Sequence, residues 1–233
     1  MCGFIGFSGN LDNKEAILQK MMDRIVHRGP DMGGMYTDDG IALGFRRLSI
    51  LDLSDAGAQP MANEDKSVVV VFNGEIYNFM ELRRELEAKG HTFHCGADTE
   101  VLIHGYEEYG TELIYRLRGM FAFVLWDAKN KRMFGARDIF GIKPFYYYPV
   151  PDGSGLVFGS EIKAFLEHPK FVKAVNENAL RPYLTLQYSA TEENLLQGAC
   201  TSSPRPTILC MRTARWTCAA SGDCEFDPQP QNF

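Results

Sequence analysis

Two periods of apolar and polar residues run along this chain, one typical of helices and one of strands. Between residues 14 and 26 the apolar side chains recur every three or four positions, as at Leu18, Met22 and Ile25. This spacing predicts an amphipathic helix, and Asp12 is the predicted cap of its first turn.

A run of β-branched residues from position 68 to 72 predicts a buried central strand, which the turn-favouring dipeptide Asn73-Gly74 would end. The other predicted strands are residues 3–8, 41–50, 120–126, 132–137, 145–148 and 156–159. The other predicted helices are residues 79–89, 100–109, 161–166 and 176–184, and Gly90 and Gly110 follow two of them as end signals. Because strands and helices occur in groups, the pattern predicts antiparallel sheets with helices packed outside them, an α+β fold.

The composition is ordinary for a globular protein of 233 residues, with 45% hydrophobic residues, 23% charged residues and a net charge of −6. Its basic residues are scattered, so no nucleic-acid partner is predicted. No apolar stretch approaches the ~18 residues of a membrane span, and no signal peptide is visible. We therefore expect a cytoplasmic protein with reduced thiols and no membrane contact.

Cys2 is the first candidate for chemistry. Removal of Met1 would leave a cysteine that carries both a free α-amine and a thiol, with ordinary pKa values of about 8 and about 8.5. A base and a nucleophile would then share one residue, as in N-terminal-nucleophile hydrolases. The alternative is that Cys2 is a small residue near a processed terminus, buried in a strand.

Two further segments suit the chemistry of an amide substrate. Arg47, at the end of a predicted strand, can grip a carboxylate, although a surface ion pair with Asp52 is the alternative. The Asn73 side-chain amide and the Gly74 backbone N–H can both point at an oxyanion, and an ordinary tight turn is the alternative there.

Asp98 can receive a substrate ammonium group, and the alternative is a cap for the helix that follows it. The five histidines and six cysteines show no ligand spacing, so no metal site is predicted and the histidines are interpreted as surface or packing residues. Residues 137–144 and 160–163 are interpreted as structural turns and junctions.

Taken together, these segments resemble the glutaminase domain of N-terminal-nucleophile glutamine amidotransferases, and within that class the asparagine synthetases. The resemblance covers about residues 1–195, in the family's order and spacing. The matching motifs are residues 1–3, 27–31, 47–50, 59–60, 73–78, 98–101, 119–123, 137–138, 141–144 and 160–163.

The resemblance implies a four-layer αββα sandwich and a role for each site residue. Cys2 would attack the amide carbon of glutamine, its α-amine would pass the proton to the leaving ammonia, and Asn73 and Gly74 would hold the oxyanion. The substrate carboxylate would bind Arg47 and the substrate ammonium Asp98, with Glu75 nearby. Backbone atoms of the next residues would line the pocket: Leu48, Ser49, Ile50 and Leu51.

Asparagine synthetases continue into a second domain that binds ATP, Mg²⁺ and aspartate, and its pyrophosphate loop is absent from this sequence. We therefore expect glutamine hydrolysis without a cofactor, and an ammonia-accepting synthetase domain that is missing or supplied in trans. Residues 196–233 are interpreted as an atypical tail, because residues 198–222 contain no Asp, Glu or Lys. A reading-frame shift near residue 198 or a lineage-specific tail would explain it, and we expect no stable packing there.

Three alternative functions are open at this point. The chain would be an inactive remnant, a module that only binds glutamine, or the glutaminase of another amidotransferase of the same class.

Overall fold

Two six-stranded antiparallel sheets form the centre of the computed structural model, which describes residues 2–48, 57–187, 195–196, 198, 200–201, 207–212 and 215–220. The strands are β1 (Gly3–Ser8), β2 (Met32–Asp38), β3 (Ile41–Arg47), β4 (Met61–Ala62), β5 (Val68–Ile76), β6 (Gly119–Asp127), β7 (Arg132–Arg137), β8 (Tyr146–Pro149), β9 (Leu156–Gly159), β10 (Cys200–Thr201), β11 (Thr207–Arg212) and β12 (Arg215–Ala220). The helices are α1 (Lys14–Asp23), α2 (Phe79–Ala88), α3 (Glu100–Tyr109) and α4 (Glu177–Leu186), and 3₁₀ segments cover Val26–Arg28, Gly110–Arg116 and Ile162–Glu167.

The strand order places the N-terminal strand inside its sheet. The first sheet has the order β10-β8-β9-β1-β3-β2, and the second has the order β12-β11-β7-β6-β5-β4. All six residues of β1 are buried, between β3 on one side and β9 on the other. The residue that precedes β1 is thereby fixed at the end of a central strand.

Alternation of side chains along β1 explains the layers. Phe4 faces the other sheet and packs in a cluster with residues of β5 and β6, such as Val71 and Val124. Its neighbour Ile5 faces the opposite way and packs under α1, against Leu18. A third cluster joins α2 and α3 to the outer face of the second sheet. The result is the predicted αββα sandwich.

Most predicted elements are present, with differences at their ends. The helix predicted over residues 14–26 ends at Asp23, and its cap is Asn13 in a left-handed conformation (φ 59°) without a side-chain bond, rather than Asp12. Gly90 ends α2 as predicted, because the amides of Gly90 and His91 bond back to the carbonyls of Glu87 and Leu86. The segment predicted as a helix over residues 161–166 is a 3₁₀ segment.

Five strands of the described residues were not predicted: β2, β4 and the three strands of the tail, β10, β11 and β12. β2 contains Gly33 and Gly34, which weaken the sequence signal for a strand, yet it pairs with β3 over seven residue pairs. The local propensity of β2 for extended structure is weak, but its backbone groups find hydrogen-bond partners on β3.

The expectation of no stable packing in the tail is wrong for the described residues beyond 195. β11 pairs with β7 over five residue pairs and with β12 over six, so this hairpin extends the second sheet. Main-chain hydrogen bonds to the edge of β7 need no particular side-chain pattern, which explains why composition did not reveal them. Among the described residues, no helix is long and apolar enough to cross a bilayer.

Candidate functional site

A cleft of about 690 Å³ opens between the two sheets at the start of β1. Every site residue predicted from the sequence that the structure describes lines this cleft: Cys2, Arg47, Leu48, Asn73, Gly74, Glu75 and Asp98. The predicted residues Ser49, Ile50 and Leu51 lie outside the described residues. Side chains far apart in the sequence are therefore gathered by the fold.

Two hydrogen bonds hold Cys2 in place, one at its thiol and one at its carbonyl. Its Sγ accepts a hydrogen bond from the Leu48 amide at 3.4 Å, which places β3 beside the thiol. The Cys2 carbonyl accepts a bond from Arg28 Nε at 3.0 Å. Cys2 is only half-buried, so its sulfur faces the cleft.

Arg28, the last residue of the 3₁₀ segment Val26–Arg28, is a positioning residue for Cys2. Its Nη1 lies 3.0 Å from Glu161 Oε1, and Glu161 also binds His27 at 2.7 Å. Burial alone would raise the pKa of Glu161, but hydrogen bonds from Arg28, His27 and Lys163 lower it overall, so the carboxylate stays charged. The contact between Arg28 and Cys2 joins residues on separate elements, and no local spacing signals it.

Gly3 fits closely against this arginine. A Cβ added at Gly3 would lie 2.7 Å from Arg28 Cδ, well inside van der Waals contact. The glycine therefore allows Arg28 to lie flat along the start of β1.

Asn73 and Gly74 lie within β5, so the predicted turn at this dipeptide is wrong. They pair with Ala122 and Phe121 of β6, and nine consecutive residue pairs outweigh the local preference for a turn. A Cβ at Gly74 would lie 2.3 Å from the Met120 carbonyl oxygen, which accounts for glycine in an extended strand.

The Asn73 amide nitrogen is the least expected feature of the cleft. Asn73 is 2% exposed, and its Nδ2 is buried without a hydrogen-bond partner among the residues that the structure describes. Buried amide donors are nearly always paired, so an unused donor in the same cleft as a thiol is a candidate for binding an oxygen atom of a substrate.

Asp98 supplies an acid to the lining of the same cleft. Its Oδ2 accepts a bond from the Ile76 amide at 2.8 Å. Burial, with a further contribution from the charge of Glu75, raises the pKa of Asp98 from 3.8 to about 6. The alternative role as a helix cap is wrong, because Thr99 is the N-cap of α3.

Arg47 supplies the cation. It is the last residue of β3, is 9% exposed and lies with its Nη1 3.8 Å from Met32 Sδ. This burial in the cleft wall does not fit the alternative of a surface cation, and Asp52 lies outside the described residues.

Three polar residues of the cleft were not predicted as site residues: Gln59, Thr99 and Lys143. Gln59 accepts a bond from the Phe72 amide at 2.6 Å and contacts Thr99 Oγ1 at 3.4 Å, so it ties β5 to the start of α3. Lys143 is buried at 7% exposure and lines the cleft, although its segment was interpreted as a structural turn.

One group of candidate metal ligands occurs among the described residues, and it lies outside the cleft. It consists of His91, His104 and Glu107, whose spacing in the sequence gives no recognisable motif.

Comparison with known proteins adds a family match to this geometry. The model of the family described as "Glutamine amidotransferase domain" matches residues 1–214. Asparagine synthetase [glutamine-hydrolyzing] 1 of Bacillus subtilis (strain 168) is 43% identical over 193 residues, which cover 81% of this chain and 30% of the relative. Asparagine synthetase [glutamine-hydrolyzing] 2 of Arabidopsis thaliana is 46% identical over 167 residues, which cover 70% of this chain and 28% of the relative.

Among solved structures, glutamine phosphoribosylpyrophosphate amidotransferase from B. subtilis matches with a TM-score of 0.66 at 19% identity. The match covers 94% of this chain and 49% of that one. At this identity it shows a shared fold alone. The chain spans less than a third of the length of the two curated relatives named above.

Proposed function

Because the chain belongs to the glutamine amidotransferase domain family, we propose that it hydrolyses the side-chain amide of glutamine to glutamate and ammonia. The observation that carries the proposal is that the Cys2 thiol lines the same cleft as the Asn73 amide, whose Nδ2 has no hydrogen-bond partner in the described part of the chain. The family match confirms the resemblance drawn from the sequence motifs.

The proposed chemistry uses one residue as both nucleophile and base. After removal of Met1, the Cys2 α-amine accepts the thiol proton while Sγ bonds to the amide carbon. The Asn73 amide and the Gly74 N–H stabilise the negative oxygen that develops. The C–N bond then breaks, ammonia leaves with the proton from the α-amine, and water hydrolyses the thioester to release glutamate and restore the thiol.

The two charges of the cleft fit the two ends of an amino acid. Arg47 binds the α-carboxylate and Asp98 the α-ammonium group of glutamine, with Glu75 adding negative charge beside Asp98. Asp98 must be ionised for this role, and a substrate ammonium group would itself favour the ionised form. Leu48 contributes its backbone to hold the thiol.

The proposed fate of the ammonia is transfer to an ATP-dependent synthetase unit. The support is that the two relatives named above are glutamine-hydrolysing asparagine synthetases that extend far beyond the matched part. Hydrolysis itself needs only the thiol, the amine and the oxyanion donors, so ATP and Mg²⁺ belong with the synthetase unit in this proposal.

The test is ammonia release from glutamine by the purified chain, without ATP or aspartate, after mass spectrometry has shown that it begins at Cys2. We expect release that a cysteine-directed glutamine analogue blocks and that Cys2→Ala abolishes. Cys95→Ser is the matched control, because Cys95 is also half-buried but bonds to Glu100 instead of lining the cleft.

Two outcomes would contradict the proposal. Full turnover by Cys2→Ala would exclude the N-terminal nucleophile. No release from correctly processed, folded protein that still binds glutamine would favour the alternative of a module that only binds glutamine.

A further inference from the structure

Two histidines and a glutamate meet where the segment after α2 crosses α3, away from the glutamine cleft. His91 directly follows the glycine that ends α2, whereas His104 and Glu107 lie one turn apart on α3. One ligand atom from each lies within 4.8 Å of the others. We propose that these three residues bind a divalent transition-metal ion, foremost Zn²⁺.

The distances suit such an ion. Glu107 Oε2 lies 3.0 Å from His104 Nδ1 and 3.6 Å from His91 Nδ1. Ligands of a tetrahedral Zn²⁺ with bonds of about 2.0–2.1 Å lie roughly 3.4 Å apart, between these two values. The other oxygen of Glu107 accepts a bond from Asn63 Nδ2 at 2.7 Å, which leaves Oε2 for the ion.

The outer nitrogens of both rings also face carboxylates. His104 Nε2 lies 3.8 Å from Glu100 Oε1, and His91 Nε2 lies 3.6 Å from Glu108 Oε2. Histidines that ligate a metal through one nitrogen commonly direct the other N–H to a carboxylate, which orients the ring. Both candidate ligands have this arrangement.

A metal resolves a conflict that neutral histidines leave in place. If each Nδ1 carries the proton and donates it to Glu107, each Nε2 lone pair faces another carboxylate, which is repulsive. An ion at the two Nδ1 atoms leaves an N–H on each Nε2, directed at Glu100 and Glu108. Metal ligands must be deprotonated, so protons and metal compete for the two Nδ1 atoms.

The surroundings favour a cation. His104 is 2% exposed and packs against the Phe93 ring, with ring centroids 4.7 Å apart. Carboxylate oxygens of Glu107 and Glu100 lie 3.0 Å and 3.8 Å from its two ring nitrogens. Lys89 is bound to Glu108 at 2.5 Å, and Arg83, which lies over the Phe93 ring, is bound to Glu87 at 2.8 Å. Negative charge around the two imidazoles is therefore incompletely balanced.

Such an ion would connect the site to the cleft through the backbone. His91 and Asp98 are the two ends of one segment between α2 and α3, and Glu100 holds the middle of it by accepting bonds from the amides of His94 and Cys95. Fixing His91 to α3 would restrain this segment and stabilise the folded state by mass action.

The test measures Zn²⁺ binding by calorimetry to the untagged full chain carrying Cys2→Ala, because an N-terminal cysteine would chelate Zn²⁺ by itself. We expect one equivalent that is lost, or weakened at least about 100-fold, in His91→Gln and in Glu107→Gln. His94→Gln is the matched control, since its side chain is 66% exposed and faces Glu64 instead.

A second readout identifies the ligand type. Co²⁺ bound at this site should show visible d–d bands without the near-ultraviolet charge-transfer band of a thiolate. Circular dichroism tests whether each variant is folded. If His91→Gln is not folded, the test relies on Glu107→Gln alone. The proposal would be overturned if the parent bound no Zn²⁺, or if both variants bound Zn²⁺ as well as the parent does. It would also be overturned if the Co²⁺ equivalent that the variants lose showed the charge-transfer band of a thiolate.

Discussion

The buried carboxylate of Asp98 lowers the free energy of unfolding of the protein, and a single substitution should restore it. Burial, with the charge of Glu75, raises its pKa from 3.8 to about 6. A difference of roughly two pH units, at about 1.4 kcal/mol each, corresponds to about 3 kcal/mol of unfavourable free energy when the carboxylate is charged. Asp98→Asn removes that charge and keeps an oxygen that can accept the bond from the Ile76 amide.

The sign of the pH dependence follows from the raised pKa. Between pH 4 and 6 the folded state holds a proton on Asp98 that the unfolded state has released, so the free energy of unfolding of the parent falls as pH rises. Asp98→Asn lacks this titration. The variant should therefore match the parent near pH 4 and exceed it by up to about 3 kcal/mol above pH 6.

Urea denaturation from pH 4 to 8, on the parent and on Asp98→Asn, measures this difference. Under the proposed function, the variant also loses glutamine binding, because an amide does not attract an ammonium group. Equal or lower stability of Asp98→Asn at pH 8, or a difference that does not change between pH 4 and 8, would show that the carboxylate is not destabilised by its burial.

Three further substitutions test the cleft. Asn73→Ala should lower kcat for glutamine hydrolysis by about 10²–10³ through loss of one oxyanion donor, and unchanged kcat would remove it from that role. Arg28→Gln should lower kcat by about 10²-fold with little change in KM, because it shifts Cys2 rather than the substrate contacts; a change in KM alone would contradict this. Gly74→Ala should destabilise the fold by about 1–3 kcal/mol in urea denaturation, since its Cβ meets the Met120 carbonyl; an unchanged midpoint would refute the close contact.

The sequence predicts many helices and strands of this fold well, because they follow from periodicity, whereas the four-layer αββα arrangement was predicted from the family resemblance. The strands over residues 3–8, 132–137 and 156–159 and the helix over residues 100–109 have the predicted bounds. Each is a strong local pattern that ends at a glycine or a polar residue, so local and tertiary preferences agree.

The errors occur where pairing overrides local preference. Asn73-Gly74 favours a turn in isolation, but β6 offers a partner along the whole strand and the dipeptide stays extended. β2 and the tail hairpin likewise form on strand edges that sequence patterns do not show.

The residues of the candidate site were predicted through motifs, whereas no role was predicted for two of their supports, although these lie in the matching motifs 27–31 and 59–60. Arg28 and Gln59 act through single hydrogen bonds to distant elements, to the Cys2 carbonyl and the Phe72 amide. A contact of this kind has no period and no spacing, so only the folded chain reveals it.

The place of β1 within its sheet affects how the protein is made. Cys2 and β1 leave the ribosome long before β9, which is one of the two neighbours of β1 and begins only at Leu156. Pairing over such a sequence separation forms late in folding. A nascent chain that has not yet reached Gly159 therefore contains the Cys2 thiol but lacks the strand that completes its sheet. The proposed release of ammonia has to await the synthesis of that strand.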